Sequence, residues 1–191
     1  MIAGLVLAAG AGTRFAGPES KLLAEVSGKP VLERAVAAAC AVPALERVLV
    51  VLGADGAEIR ARVEFGRAET VLCPDWATGQ AASLRCGLRT LTGAEKVIVT
   101  LGDAPLLTPQ AIARFVDQPG GTRAVFDGRP GHPVVLGPAE ITAARSLSGD
   151  QGARELLRGG WQLEVGHLCS GRDVDTPDDL EAIRDEARAV I

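Results

Sequence analysis

Small residues and two cations follow the first apolar segment of the chain. The uncharged run from Ile2 ends in Leu7-Ala8-Ala9-Gly10-Ala11-Gly12-Thr13-Arg14, and Lys21 follows shortly after. Small side chains leave backbone N–H groups free to point at an anion, and Arg14 and Lys21 add fixed positive charge. The segment therefore predicts a loop that holds a polyphosphate at the end of the first strand.

Two better-known glycine motifs do not fit this loop. A dinucleotide-binding fingerprint that starts at Gly10 accepts Gly12 but meets Phe15 where a third glycine is required. A P-loop that starts at Gly12 reaches Gly17 but meets Pro18 where lysine is required. What is left is a strand, a loop of small residues and then Arg and Lys, which is a different way to hold phosphates.

A second candidate position is an acid that follows a later apolar run. Lys96 to Leu101 is largely apolar, and Gly102-Asp103-Ala104-Pro105 comes next. Open α/β sheets bind ligands at the carboxyl ends of their strands, and Mg²⁺ takes one or two protein carboxylates beside water and phosphate oxygens. Asp103 is therefore a candidate magnesium ligand, with a turn cap as the alternative. The same choice applies to Asp173 and Asp175, and their spacing does not decide which of them faces the site.

Apolar runs alternate with helical patterns along the chain, which predicts the α/β class with buried parallel strands. The predicted strands cover Ile2 to Leu7, Arg47 to Gly53, Glu69 to Cys73, Lys96 to Leu101, Arg123 to Phe126, Pro133 to Leu136 and Gln162 to Val165. The predicted helices cover Pro30 to Ala41, Ala57 to Val63, Gly79 to Leu91, Thr108 to Val116, Pro138 to Ser146, Gly149 to Arg158 and a last helix that begins at Thr176-Pro177. A turn at Asp127-Gly128 predicts that the strands on either side of it run antiparallel to each other. The chain has 191 residues and no evident linker, so we expect a single domain over residues 1–191.

The composition argues against several classes of function. The formal charge is −4, Tyr is absent, and there are only four Phe and two Trp, so a nucleic-acid partner is not expected. The four cysteines are scattered without a Cys-x-x-Cys pair, which disfavours a zinc site and favours a reduced, cytoplasmic protein. The apolar N-terminus lacks a basic n-region, and no apolar run approaches the roughly 18 residues that cross a bilayer. We therefore expect no membrane partner.

Four ordered motifs together resemble the MobA-like nucleotidyltransferase superfamily. They are Leu7-Ala-Ala-Gly-x-Gly-Thr-Arg-Phe with Lys21, Gly102-Asp103-x-Pro105, Gly131-His132-Pro133 and Asp173-Val-Asp175-Thr-Pro177. Within the superfamily the chain most resembles the molybdenum cofactor cytidylyltransferase (MocA-type) branch, from residue 2 to about residue 183. The resemblance implies a Rossmann-like three-layer α/β/α sandwich with a mostly parallel mixed sheet, similar to nucleotide-diphospho-sugar transferases.

The resemblance also assigns roles to individual residues. Arg14, Lys21 and Asp103 would be catalytic, because the two cations grip the triphosphate and the departing pyrophosphate while Asp103 holds Mg²⁺. Asp175 would be the second metal ligand. The nucleotide would contact a larger set, which comprises Leu7, Ala8, Ala9, Gly10, Gly12, Thr13, Arg14, Lys21, Gly79, Gln80, Ser83 and Asp103. His132 and Asp150 would lie on the acceptor side, although a structural histidine and a helix N-cap are simpler interpretations of these two residues.

The implied reaction is Mg²⁺-dependent nucleotidyl transfer, in which a phosphate monoester attacks the α-phosphorus of a nucleoside triphosphate. Such a monoester is already mostly dianionic at neutral pH, so positioning and charge neutralisation can carry the catalysis. CTP is the favoured donor, because guanylyl-transferring relatives typically carry glycine at the position of Ala9 and a methyl group there would shrink the base pocket. Molybdopterin is the favoured acceptor, with a molybdoenzyme or its maturation factor as a protein partner.

Three other functions are left open by the sequence. The same chemistry could use GTP, or act on a sugar phosphate, a phospholactate or an isoprenoid precursor. An oxidoreductase linked to NAD(P) or flavin belongs to a different class, and Phe15 in place of the third glycine argues against it. A non-catalytic nucleotide-binding protein is the third, against which the joint presence of Arg14, Lys21, Asp103 and Asp175 weighs.

Overall fold

The computed structural model describes residues 1–15, 19–157 and 159–189 of the chain. The strands are β1 (Ile2–Ala8), β2 (Glu25–Val26), β3 (Lys29–Pro30), β4 (Arg47–Leu52), β5 (Glu69–Leu72), β6 (Lys96–Leu101), β7 (Arg123–Phe126), β8 (Arg129–Leu136) and β9 (Gln162–Glu164). The α-helices are α1 (Val31–Cys40), α2 (Gly56–Arg62), α3 (Gln80–Thr90), α4 (Pro109–Ala113), α5 (Pro138–Ala143) and α6 (Pro177–Ala189). Short 3₁₀-helices cover Thr13–Phe15, Trp76–Thr78, Ala144–Ser146 and Ala153–Leu157.

A seven-stranded sheet in the order β5-β4-β1-β6-β8-β7-β9 brings the predicted site residues to one edge. β1 pairs in parallel with β4 and β6, and β8 runs antiparallel to both β6 and β7. Because β1 and β6 lie side by side and run in the same direction, the loops that follow them meet at the carboxyl edge. The N–H of Gly102 donates to the carbonyl of Leu7 at 2.9 Å, which joins the two loops directly. The predicted mostly parallel mixed sheet is confirmed.

Helices cover both faces of this sheet, because successive side chains of its strands point in opposite directions. In β1, Val6 and Ala8 belong to the buried cluster that includes residues of α1, α2 and α4. Ala3 and Leu5 belong to the cluster on the other face, with residues of α3. Burial of a side chain such as Val6 or Leu5 stabilises the fold by roughly 1.5–3 kcal/mol. The predicted three-layer α/β/α arrangement is therefore confirmed.

A third apolar cluster anchors the acidic segment of the chain. Val174 is fully buried between Asp173 and Asp175, and it packs with Leu180 and Ile183 of α6 and with residues around the β2–β3 hairpin. The N–H of Val174 also donates to the carbonyl of Asp103 at 2.9 Å. This burial fixes the carboxylates on either side of Val174 close to the loop that follows β6.

Several predicted element boundaries were wrong. β8 begins at Arg129 rather than at Pro133, and α4 ends at Ala113 rather than at Val116. The helix predicted over Gly149 to Arg158 is a 3₁₀-helix over Ala153–Leu157, and Arg158 lies outside the described residues. Two glycines, which lose much conformational entropy in a helix, precede this 3₁₀-helix, so the helix does not begin at residue 149.

None of the helices in the described ranges has the length and apolar character needed to cross a bilayer.

Candidate active site

The loop after β1 is open on one side. Gly12 adopts φ +59°, which favours glycine, and a Cβ there would lie 3.3 Å from Cγ of Lys21. A Cβ at Gly10, in contrast, would meet no atom of the described residues within 4 Å. The Phe15 N–H closes the next turn on the Gly12 carbonyl at 2.9 Å, and the Arg14 side chain on that turn is 74% exposed. The loop can therefore admit a ligand beside an exposed guanidinium.

The other loop residues differ in their exposure. Leu7 and Ala8 end β1, Ala9 is buried and Thr13 is exposed. Ala9 belongs to the same buried cluster as Ala81 and Ala82 at the start of α3, and its carbonyl accepts the N–H of Ala54 at 3.2 Å. On this side of the loop lies a cavity of about 750 Å³, whose lining includes Gly53, Asp55, Cys73 and Trp76.

Lys21 lies between two carboxylates at the carboxyl edge of the sheet. Its Nζ is 2.6 Å from Oδ2 of Asp103 and 3.2 Å from Oδ1 of Asp175. The same ammonium donates to the carbonyl of Val174 at 2.7 Å. Burial by itself lowers the pKa of Lys21, but the charges and hydrogen bonds of Asp103 and Asp175 outweigh burial and raise the pKa above its usual value. The lysine is therefore a fixed positive charge at the centre of the site.

Arg14 reaches the same acidic segment from the loop after β1. Its Nη2 lies 3.2 Å from both carboxylate oxygens of Asp175. Asp175 therefore contacts both cations that the sequence assigns to the triphosphate, although the two residues are more than 150 positions from it in the chain. This geometry distinguishes Asp175 from Asp173, which the spacing alone did not.

A capping interaction at the start of α6 positions Asp175. Oδ2 of Asp179 accepts the Thr176 N–H at 2.8 Å and the Asp175 N–H at 3.3 Å, and the Asp179 N–H donates to Oγ1 of Thr176 at 3.2 Å. This reciprocal bonding is the capping-box pattern, which satisfies N–H groups that the first helical turn leaves without partners. Hydrogen bonds from Thr176 also lower the pKa of Asp179. The predicted helix start at Thr176-Pro177 is confirmed.

Asp173 is an acid of a different kind. Desolvation, together with the negative charges of Asp103 and Asp175, raises the pKa of Asp173 to about 7, although Lys21 acts in the opposite direction. The carboxylates of Asp103, Asp173 and Asp175 thus influence one another. Negative charge is therefore concentrated around Lys21.

The donor set fits a hard divalent cation held by few protein ligands. Asp103 and Asp175 both contact the Lys21 ammonium, so the two carboxylates are close enough together to share one cation. In the described part of the chain, no group of three or more His, Cys, Asp or Glu side chains is arranged to hold a metal. Two carboxylates match Mg²⁺, which keeps several waters and binds substrate phosphates.

The segment assigned to the nucleotide base and ribose begins α3. Gly79 has φ +116°, and a Cβ there would lie 2.2 Å from the Gly149 carbonyl oxygen, so only glycine fits this close approach. The Ala81 N–H donates to that same carbonyl at 3.1 Å. Gln80 is exposed, whereas Ser83 is buried one turn further along the helix. The loop at Gly149 therefore packs directly against the start of α3.

The two residues assigned to the acceptor side lie in different settings. His132 is partly buried in β8, and Asp150 is exposed on the turn that packs against α3. The N-cap interpretation of Asp150 is wrong, because the following 3₁₀-helix begins at Ala153 and the Gln151 side chain accepts the Ser148 N–H at 3.0 Å. Burial, followed by the positive charges of Arg123 and Arg154, lowers the pKa of His132 to about 4.

Acid should therefore destabilise the wild-type protein more than a His132→Gln variant. The pKa of histidine in an unfolded chain is about 6.5, so the unfolded state binds more protons than the folded state between about pH 6.5 and pH 4. Because of His132, the free energy of unfolding falls as the pH falls through this window. The contribution of this one histidine to the loss is about 3 kcal/mol at pH 4.

Urea unfolding at pH 7 and at pH 4.5 measures this difference. His167→Gln serves as the control, because the side chain of His167 is exposed. An equal loss of stability in the wild type and in His132→Gln would contradict the assignment.

Three features of this site were missed in the sequence. The Val174 carbonyl accepts a hydrogen bond from Lys21. Asp179 positions Asp175, and Arg123 contacts the backbone of Arg154. Thr176-x-x-Asp179 is a readable capping signal. Nothing in the local sequence indicates the other two contacts, which join distant segments.

The chain is similar to several known proteins over much of its length. Nicotine blue oxidoreductase from Paenarthrobacter nicotinovorans is 30% identical over 194 residues, which covers 94% of each protein. Bifunctional protein GlmU from Cutibacterium acnes is 39% identical over 125 residues, and the match spans 61% of this chain but only 28% of GlmU. 2-C-methyl-D-erythritol 4-phosphate cytidylyltransferase from Cereibacter sphaeroides is 34% identical over 134 residues, with 68% of this chain and 55% of that protein covered.

Among solved structures, Rv0371c from Mycobacterium tuberculosis H37Rv superimposes with a TM-score of 0.84 at 28% identity, over 96% of this chain and 97% of that one. The complex of the same protein with manganese has a TM-score of 0.81 at 26% identity, over 96% and 98% of the two chains. The family model described as the MobA-like NTP transferase domain matches residues 4–166. The chain therefore belongs to the family of MobA-like NTP transferase domains.

Proposed function

We propose that this protein transfers a nucleoside monophosphate from a nucleoside triphosphate to a phosphorylated small molecule and releases pyrophosphate. The observation that carries the proposal is the contact of one ammonium, that of Lys21, with the carboxylates of Asp103 and Asp175 beside an open loop of small residues. Membership of the MobA-like family supports the same reaction class.

Each charged side chain has a separate task in this reaction. Asp103 and Asp175 would hold a divalent cation such as Mg²⁺, which supplies charge neutralisation at the phosphates. The complex of Rv0371C with manganese supports a divalent cation. Arg14 and Lys21 bind the triphosphate and stabilise the negative charge that grows on pyrophosphate as its bond to the α-phosphorus breaks. An oxygen of the acceptor phosphate forms the new bond, and its dianion needs no general base.

For the donor we propose CTP, and for the acceptor molybdopterin, as in the MocA-type branch. The buried methyl group of Ala9 lies between the loop and the start of α3, where it would reduce the space for a base. The similarity to a cytidylyltransferase supports a cytosine base. That relative also makes another phosphorylated acceptor the nearest alternative.

The four cysteines are free thiols, which supports a cytoplasmic location.

A thermal unfolding assay with each of the four nucleoside triphosphates and Mg²⁺ tests the donor. A ligand that binds the folded state at about 100 times its Kd adds about 2.7 kcal/mol, which raises the Tm of a chain of this size by about 5–10 °C. We expect CTP to give the largest rise in wild-type protein, and Ala9→Gly to increase the rise with GTP. Ala11→Gly, an exposed position on the same loop, is the matched control. Stabilisation of the wild type by GTP alone would contradict the cytidine assignment.

An oxidoreductase is the second candidate, because the similarity to nicotine blue oxidoreductase extends over 94% of both chains. A dinucleotide-binding fingerprint requires its third glycine where this chain has Phe15, which argues against that fingerprint here. NADH, NADPH and FAD added to the same unfolding assay separate the two candidates. Stabilisation by a dinucleotide, without any effect of nucleoside triphosphates, would favour the oxidoreductase.

A further inference from the structure

Two arginines from separate elements lie near His132. Arg123 begins β7, and Arg154 lies on the 3₁₀-helix Ala153–Leu157. Nη2 of Arg123 donates to the carbonyl oxygen of Arg154 at 3.4 Å, so the guanidinium of Arg123 lies against the backbone of that helix. Both arginines are close enough to His132 for their charges to act on its ring. The three side chains form a basic cluster that the nucleotide-binding residues do not include.

A break in the sheet sets the position of His132. Arg123 of β7 pairs with Val134 of β8, but the next pair skips two residues of β8, His132 and Pro133. β8 is also antiparallel to β6, so this bulge lies towards the carboxyl end of β6, which Asp103 follows. Bulges are frequent next to active sites because they redirect side chains. The cluster is therefore on the β7–β8 side of Asp103, whereas the loop after β1 is on the other side.

The loop that carries Arg154 also borders the nucleotide segment. A Cβ on Gly152 would lie 2.6 Å from Oε1 of Gln80, so this loop and the start of α3 are in close contact. The Gly149 carbonyl accepts the Ala81 N–H in the same contact. The loop that carries Arg154 therefore borders the nucleotide segment, and the bulge at His132 lies towards the carboxyl end of β6.

The charges of the cluster suit an anion. Nε of Arg154 lies 3.8 Å from Oε1 of Glu155, and the Arg154 side chain is 72% exposed, so this ion pair is worth little. The positive charges of Arg123 and Arg154 both act on the ring of His132, so an anion beside that ring would be attracted by both. Arginine binds phosphate through two parallel N–H bonds, which gives both strength and orientation. A neutral imidazole beside them adds a further N–H donor.

We propose that Arg123, Arg154 and His132 form a subsite for the phosphate group of the acceptor, an inference that rests on the proposed nucleotidyl transfer. In this subsite the phosphate monoester receives N–H bonds from both guanidinium groups and lies on the β7–β8 side of Asp103. From that side it faces a triphosphate that Arg14 and Lys21 hold from the side of β1. The ligand class is a phosphate monoester, and inorganic phosphate serves as the probe.

NMR titration of the histidine ring protons against pH, with and without inorganic phosphate, tests the subsite at His132 itself. The two histidines are assigned with the His132→Gln variant. We expect bound phosphate to raise the pKa of His132 by at least about one unit, because an anion stabilises the protonated ring. Arg123→Met and Arg154→Met should each weaken the binding of phosphate beside His132 at least about tenfold. Arg123→Lys keeps the positive charge but cannot form two parallel N–H bonds to phosphate. It serves as the test at this position if Arg123→Met fails to fold.

Two control variants separate this subsite from other phosphate sites. Arg145→Met removes an exposed arginine from the neighbouring 3₁₀-helix, and Arg14→Met removes a cation of the triphosphate loop. Neither should change the effect of phosphate on His132. An unchanged His132 titration in phosphate, an effect that survives both arginine substitutions, or an effect lost in Arg14→Met would each overturn the subsite.

Steady-state kinetics distinguish failure of the subsite from failure of the proposed reaction. If nucleotidyl transfer proceeds, Arg123→Met and Arg154→Met should raise the KM for the acceptor about tenfold and leave the KM for the nucleoside triphosphate unchanged. An unchanged acceptor KM would reject the subsite alone. Absence of transfer with every nucleoside triphosphate would reject the proposed function, and the phosphate titration would stand by itself.

Discussion

Replacement of Asp103 by asparagine should abolish metal-dependent nucleotidyl transfer while the protein stays folded. The variant keeps the size of the side chain but removes the negative charge that pairs with Lys21 and that would bind Mg²⁺. Loss of one preorganised charge at a reacting phosphate typically costs at least about a hundredfold in kcat. Asp103 is partly buried at the end of β6 and its backbone carbonyl still accepts the Val174 N–H, so the loop keeps its main-chain support.

Pyrophosphate release measures this loss, and circular dichroism shows whether the variant folds. Asp117→Asn is the matched control, because that carboxylate is exposed in the turn after α4. The control should retain wild-type turnover. If Asp103→Asn released pyrophosphate at the wild-type rate, Asp103 would not belong to the metal site.

Replacement of Lys21 by methionine should lower both turnover and the stability of the protein without ligands. The Lys21 side chain is only 11% exposed, and its ammonium contacts Asp103, Asp175 and the Val174 carbonyl. Its removal leaves the Asp103 carboxylate and the Val174 carbonyl without the ammonium that both contact, which costs about 1–3 kcal/mol. The same substitution removes a positive charge that would bind the triphosphate, so turnover should fall at least about a hundredfold.

The Lys21→Met variant also makes a sharper prediction about the metal. Mg²⁺ without nucleotide should raise the Tm of this variant more than that of the wild type, since in the wild type the cation competes with the ammonium for the same carboxylates. Lys29→Met is the control, because Lys29 is 59% exposed and pairs with Glu33 on the surface at 3.0 Å. A smaller or equal metal effect in Lys21→Met would show that Asp103 and Asp175 do not share a cation position with Lys21.

The fold was predictable because its signals are local. Continuous apolar runs marked β1, β4 and β6, and parallel strands that lie side by side bring the loops after β1 and β6 to one edge. That argument alone placed Asp103 near Arg14 and Lys21. The antiparallel β8 was also expected from the turn at Asp127-Gly128, although its first residues, which extend beyond β6, were missed.

Local patterns could not provide the contacts that select one side chain over another. Asp173 and Asp175 flank a buried valine and have equal claims in the sequence, and only the position of Lys21 and Arg14 in space favours Asp175. Arg123 and Arg154 are likewise brought together by the packing of a 3₁₀-helix against the sheet. The helix predicted from Gly149 was wrong for the opposite reason, because two glycines outweighed the helical pattern.

Transfer of the α-phosphate to an acceptor tests the proposed reaction most directly. Wild-type protein is incubated with Mg²⁺, CTP labelled at the α-phosphorus and a panel of phosphorylated acceptors that includes molybdopterin. We predict that the label is found in a nucleotidyl–acceptor product, in equal amount to the pyrophosphate released, and that Asp103→Asn forms none. Absence of a labelled product and of pyrophosphate with CTP and with every other α-labelled nucleoside triphosphate would rule out nucleotidyl transfer by this protein.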